Sequence, residues 1–145
     1  MPKAKNIIDN LKNQGANPNF NQIDLINTLC EINSYKNFFL KNKNMGLYVW
    51  GDVGRGKTLL VNSYLSQLKS DDHISFHFID FMNFVHEELN THSGKKNPLH
   101  IVCKSLTYGK KIIFIDEFQV EDVADAMIIG AVSYTHLRAH ETEAD

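Results

Sequence analysis

Eight consecutive residues, Gly51-Asp52-Val53-Gly54-Arg55-Gly56-Lys57-Thr58, combine three glycines, a lysine and a hydroxyl in the spacing GxxxxGK[ST]. Glycine reaches backbone angles closed to other residues, so successive N–H groups in such a loop can turn inward and wrap an anionic phosphate. A helix starting where the loop ends adds the positive end of its dipole to the same spot. Lys57 would then reach the β- and γ-phosphates of a nucleotide, and Thr58 would offer its hydroxyl to the magnesium ion that bridges them. The plain competing reading is an accidental match in a surface loop. The four fixed positions recur by chance in about one of every few hundred chains of this size.

A second element bears independently on the same chemistry. Ile112-Ile113-Phe114-Ile115-Asp116-Glu117 is four apolar residues closing on an acid pair. A strand of that pattern delivers two carboxylates to the carboxyl edge of a sheet, where open α/β sheets bind their ligands. Asp116 is expected to hold magnesium through its water shell, and Glu117 to orient or deprotonate the water that attacks the γ-phosphate. The expected site therefore comprises Gly51, Asp52, Val53, Gly54, Arg55, Gly56, Lys57 and Thr58 around the phosphates, Thr58 and Asp116 on the metal, and Lys57 and Glu117 in catalysis. ATP and Mg2+ are the expected cofactors. No NKxD guanine motif appears, which makes a GTPase the weakest reading.

Other reactive residues show no comparable pattern. His73 and His77 share one face of an expected strand and His86 falls inside an expected helix, without carboxylate or cysteine partners at metal-ligand spacing. His136 and His140 are four apart but lack the HExxH pattern, so no metal is assigned to them. Lys95-Lys96 and Lys110-Lys111 read as solvated turns. Cys30 and Cys103 stand alone, as expected of buried, reduced thiols.

The elements that must position these residues follow from hydrophobic periodicity. The spacing predicts helices over Ile7–Leu11 and Ile23–Phe39, parted by the breaker Gly15–Asn19, with Ile23, Ile26, Leu29 and Ile32 on one core-facing stripe. Gly46-Leu47-Tyr48-Val49-Trp50 reads as a short buried parallel strand running into the glycine loop. A helix over Lys57–Leu68, a strand over Ile74–Ile79, helices over Phe81–Asn90 and Leu99–Leu106, and a strand over Lys111–Ile115 follow. Strands separated by helices imply an α/β fold with a parallel sheet and crossover helices. Composition agrees: 43% apolar and 22% charged residues suit a soluble globular domain, and a net charge of −2 supplies no basic field for nucleic acid or an anionic membrane. The apolar runs fall far short of the roughly 20 residues of a transmembrane helix, and residues 1–11 lack the continuous apolar stretch of a secretory signal, so a cytoplasmic location is expected.

Three stretches together resemble the AFG/ZapE-type ATPases. They are Gly46 through Thr58; His77-Phe78-Ile79-Asp80-Phe81-Met82 running into Val85-His86-Glu87-Glu88-Leu89; and Phe114-Ile115-Asp116-Glu117-Phe118-Gln119-Val120, followed by Asp122, Asp125, Ala126 and Met127. The resemblance implies an AAA+-like P-loop ATPase that couples ATP hydrolysis to remodelling of protein partners. It further implies a homo-oligomer in which a neighbouring subunit supplies an arginine while Glu117 activates water. The bacterial branch is associated with the cell-division ring and the mitochondrial branch with protein turnover. On the same resemblance the chain divides into a helical segment 1–44, a partial ATPase core 45–130 carrying Walker A and Walker B, and a tail 131–145. A sensor strand, an arginine finger and a second sensor should follow Gly130, and the tail has no apolar run to replace them. Its SYTHLRAHET string reads as translated sequencing adapter or another assembly artefact, so the tail is expected to be non-native and the sheet incomplete at its C-terminal side. Unpaired central edges would leave the isolated chain unstable and a poor binder of nucleotide.

Two rivals stay open on the residues alone. One is a P-loop kinase that hands the γ-phosphate to a small acceptor, although no arginine-bearing lid is evident. The other is a non-hydrolysing, nucleotide-dependent protein-binding module. Glu117 argues against it, because pure binding needs no water-activating acid.

Overall fold

In the computed structural model, which describes residues 2–32 and 46–142, the chain falls into two units, Met1–Lys69 and Ser70–Asp145. Helices build the first. Helices α1 (Ala4–Asn13), α2 (Phe20–Ile32) and α3 (Lys57–Leu65) pack on one another. The breaker 15–19 separates α1 from α2 as expected. Asn19 and Gln22 start α2 with a reciprocal cap: Asn19 N donates to Gln22 Oε1 at 2.8 Å and Gln22 N to Asn19 Oδ1 at 3.0 Å. The expected stripe is core, with Ile26 and Leu29 buried and Ile23 and Ile32 half-buried. Ile7, Leu11, Leu60, Val61, Tyr64 and Leu65 complete it. The expected continuation of this helix over 33–39, and Met45, lie outside the described residues, as do 143–145.

Two expectations for this unit need correction. Helix α3 ends at Leu65, and residues 66–68 tighten into turns closed by Gln67 N to Tyr64 O and Leu68 N to Leu65 O. More important, 46–50 is no strand: the segment is irregular, and Trp50 is 82% exposed. A strand exists only through a ladder partner, and the described residues of this unit supply none.

The second unit is α/β. Strands β1 (His73–His77) and β2 (Ile112–Asp116) pair in parallel, with Ile74 opposite Ile113 and His77 opposite Asp116. Between them run α4 (Phe78–Thr91) and α5 (Pro98–Thr107) as the crossover that parallel pairing requires. The expected strand over 74–79 stops at His77 because the apolar period changes there: Phe78, Phe81, Met82 and Val85 recur at helical spacing and are all buried. Helix α6 (Val123–Thr142) follows, capped by Asp122, whose Oδ1 accepts from Asp125 N at 2.8 Å. It packs on α5 and continues past Gly130 without a break, burying Ile128 and Val132.

One core serves this unit. Phe78, Phe81, Met82, Val85, Val102, Cys103, Leu106, Ile128 and Val132 cluster, and Ile74, Phe76, Ile113 and Ile115 lean on them from a single face of the sheet. Strand β2 is accordingly half-buried along its length. Residues 112, 114 and 116 point to the other face, by the alternation of a strand. None of the described helices is long and apolar enough to cross a membrane.

Candidate functional site

The glycine loop owes its shape to backbone angles. Gly51, Gly54 and Gly56 have φ of 151°, 81° and 76°. A Cβ added at Gly54 would meet nothing within 4 Å, so the requirement for glycine there comes from the backbone alone. Gly56 is the N-cap of α3, and its carbonyl accepts the first helical bond from Leu60 N at 3.0 Å. Lys57 and Thr58 are the first two residues of α3, where the first-turn N–H groups and the helix dipole favour an anion.

The charged groups of the loop are arranged around it. Lys57 Nζ donates to Gly51 O at 2.6 Å and to Asp52 O at 2.8 Å, closing the loop into a ring through charge-assisted bonds. Asp52 and Arg55 make an ion pair at 3.7 Å with both side chains largely exposed, a contact worth about 1 kcal/mol at most. Val53 projects into solvent. All eight residues expected around the phosphates therefore lie together in the first unit.

Asp116 and Glu117 lie together in the second. Asp116 closes β2, and its Oδ1 accepts a hydrogen bond from Glu117 N at 2.9 Å. Glu117 takes a φ of 53°, the left-handed region, which costs a side-chain-bearing residue about 1 to 2 kcal/mol. Backbone strain of this kind gathers where a side chain has to be aimed. The Glu117 side chain is exposed.

Thr58 carries a hydroxyl and Asp116 a carboxylate, each an oxygen donor of the kind magnesium takes beside phosphate oxygens and water; the first stands in Met1–Lys69 and the second in Ser70–Asp145. Among the described residues no group of three or more His, Cys, Asp and Glu side chains stands ready to hold a metal ion alone.

The remaining candidates have other roles. His73 and His77 lie on β1, and His86 is exposed on α4. His136 Nε2 lies 2.9 Å from Lys110 O, and the His140 side chain lies outside the described residues. Lys95 and Lys96 sit in an exposed turn, but Lys110 and Lys111 are not simply solvated as expected. Lys110 Nζ bonds Asp71 O, and Lys111 Nζ pairs with Asp72 Oδ2, both at 2.9 Å, tying the entry of β2 to that of β1. Cys30 and Cys103 are free thiols; Cys103 is buried as expected, whereas Cys30 is only half-buried, and desolvation pushes both above the usual thiol range, with Glu31 adding to it at Cys30.

Gln22 was missed by the sequence reading. Its Nε2 donates to Arg55 O at 2.9 Å, linking α2 to the glycine loop. The Asn19-x-x-Gln22 spacing announces a helix cap, but nothing local announces the contact made 33 residues away.

The description of AFG1-like ATPases fits residues 3–137 as a family match. The chain belongs to that family. Among relatives, the cell division protein ZapE of Escherichia coli (strain K12) is 40% identical over 87 residues, 60% of this chain and 23% of that protein. Lactation elevated protein 1 homolog B of Danio rerio is 34% identical over 95 residues, 58% of this chain and 19% of that protein. The chain thus spans less than a quarter of the length of these relatives. No solved structure matches it. Membership of this ATPase family makes the fold that of a P-loop nucleoside triphosphatase, in keeping with the parallel pairing of β1 and β2.

Proposed function

We propose that the chain is the nucleotide-binding part of an AAA+-like ATPase that hydrolyses ATP with magnesium to remodel protein partners in cell division. The observation that carries this reading is the loop 51–56, whose three positive-φ glycines deliver Lys57 and Thr58 to the start of α3. The backbone N–H groups of this loop and the Lys57 ammonium bind and orient the phosphates, Lys57 leaving its bonds to Gly51 and Asp52 to do so. Thr58 and Asp116 would hold magnesium, which would offset charge on the phosphate oxygens. Glu117 takes the proton of the attacking water, and the products are ADP and phosphate.

The likeness to a protein named for cell division supports the biological setting. A cytoplasmic homo-oligomer, with an arginine supplied by the neighbouring subunit and strands beyond β1 and β2 in the sheet, follows from the same family reading. The test is Glu117→Gln in the full-length protein, which removes the base and keeps the shape. ATP should bind as in wild type while release of free phosphate falls by a factor of about 10² to 10⁴. Unchanged turnover would defeat the role of Glu117, and a phosphorylated acceptor in place of free phosphate would make the protein a kinase.

A further inference from the structure

Gln22 stands at the junction of α2 and the glycine loop with both ends of its amide engaged. Its Oε1 accepts from Asn19 N at 2.8 Å, and its Nε2 donates to Arg55 O at 2.9 Å. The reverse orientation would set an NH2 group against the Asn19 N–H and an oxygen against the Arg55 carbonyl, two repulsive contacts. A Cβ built on Gly56 would stand 3.5 Å from the same Nε2, so the amide lies against two successive loop residues.

The consequence follows from peptide geometry. The Arg55–Gly56 peptide is trans, and a planar trans peptide points its C=O and N–H in opposite directions. Holding the Arg55 carbonyl toward Gln22 therefore aims the Gly56 N–H away from Gln22. Gly56 has no Cβ to resist rotation of that peptide, so the orientation depends on an outside contact.

We infer that Gln22 is a positioning residue for phosphate binding: its Nε2 fixes the Arg55–Gly56 peptide with the Gly56 N–H presented to the nucleotide. The inference rests on the loop being a nucleotide site. Its own content is that the donor on Gln22, and not the helix cap it also forms, sets affinity.

Three substitutions in the full-length protein separate these roles, read by titration with a fluorescent ATP analogue and by thermal melting. Gln22→Glu keeps an oxygen for the Asn19 N–H but removes the donor and sets a second oxygen against the Arg55 carbonyl. Gln22→Ala removes both ends of the amide. Asn19→Ala removes the Oδ1 cap while leaving the backbone N–H that holds the Gln22 side chain. Gln22→Glu and Gln22→Ala should each weaken analogue binding about five- to tenfold. Asn19→Ala should lower the melting temperature and leave affinity within about twofold, the size of an exposed, secondary effect. Wild-type affinity in Gln22→Glu overturns the inference, as does a loss in Asn19→Ala equal to that in Gln22→Glu. Lys57→Ala serves as the reference: if wild type binds and Lys57→Ala does not, the nucleotide site stands whatever Gln22 does. If wild type does not bind, the nucleotide reading falls and this inference with it.

Discussion

Gly54→Ala isolates the backbone as the origin of loop function. Gly54 has a φ of 81°, and a methyl group there meets no atom within 4 Å, so the substitution introduces no clash with a neighbour. What it introduces is the left-handed penalty of an L-residue, about 1 to 2 kcal/mol. Within the folded protein that energy acts on the loop's own equilibrium and lowers the ratio of the present conformer to its alternatives about 5- to 30-fold. Apparent nucleotide affinity should fall by up to the same factor, because only the competent fraction binds. The melting temperature should hardly move. The loop is exposed, and alanine also restricts the unfolded chain, which returns about 0.4 to 1 kcal/mol to overall stability. The assay is titration of the full-length protein with a fluorescent ATP analogue beside a thermal melt. Gly54→Asn sharpens it, since asparagine tolerates the left-handed region better than alanine although it is larger. The expected order of affinity is glycine, asparagine, alanine. Gly54→Ala within about twofold of wild type would refute the backbone argument, and Gly54→Asn binding worse than Gly54→Ala would move the cause to side-chain bulk.

The other predictions concern charge and packing. Lys57→Met removes the bonds to Gly51 and Asp52 from an open loop, so equilibrium denaturation should register less than about 1 kcal/mol while nucleotide affinity drops at least tenfold. Phe81→Ala opens the second unit at a fully buried ring that meets Phe76 edge to face at 5.6 Å. It should cost about 3 to 5 kcal/mol in denaturant unfolding, and a loss below about 1 kcal/mol would mean that this core is not packed as described. Cys103 is raised mainly by burial, with Thr135 acting in the opposite sense. A thiol raised on folding gives its full stabilisation below its unfolded value and loses it as pH rises through the folded one. The stability of wild type against denaturant should therefore fall more steeply into the alkaline range than that of Cys103→Ala, and parallel curves would contradict the burial of the thiol.

What could be read from the sequence divides by the range of the interaction responsible. The glycine loop and the start of α3 depend on residues within a few positions of one another, and they stand where spacing puts them; α2 instead starts at Phe20, three residues before the expected Ile23, on the Asn19 cap. The parallel pairing of β1 and β2 was also legible, because two β-branched or aromatic runs flank a crossover of helical period. The extent of β1 was not. Phe78 and Ile79 prolong an apolar run that reads equally well as strand, and burial of Phe78 against the α4, α5 and α6 core decides for helix. Nor was Gln22, whose partner is distant in sequence. The left-handed Glu117 was equally hidden, since nothing about a glutamate announces a φ of 53°.

Residues 46–50 show how far local preference reaches. Leu47, Tyr48, Val49 and Trp50 are strand formers, and each large apolar side chain would gain about 1.5 to 3 kcal/mol from full burial. Leu47, Tyr48 and Trp50 are nevertheless exposed, and the segment holds no ladder. Side-chain propensity cannot supply the missing part, because a strand's N–H and C=O groups are satisfied only by another strand, and solvent is the better partner when none is paired with them. The glycine loop needs no such neighbour: its positive-φ glycines, the first turn of α3 and the Gln22 contact all lie within Met1–Lys69. Loop conformation is therefore set by contacts within Met1–Lys69 while 46–50 is unpaired. It follows that substitutions at Gly54 or Gln22 should alter nucleotide affinity without first altering the sheet.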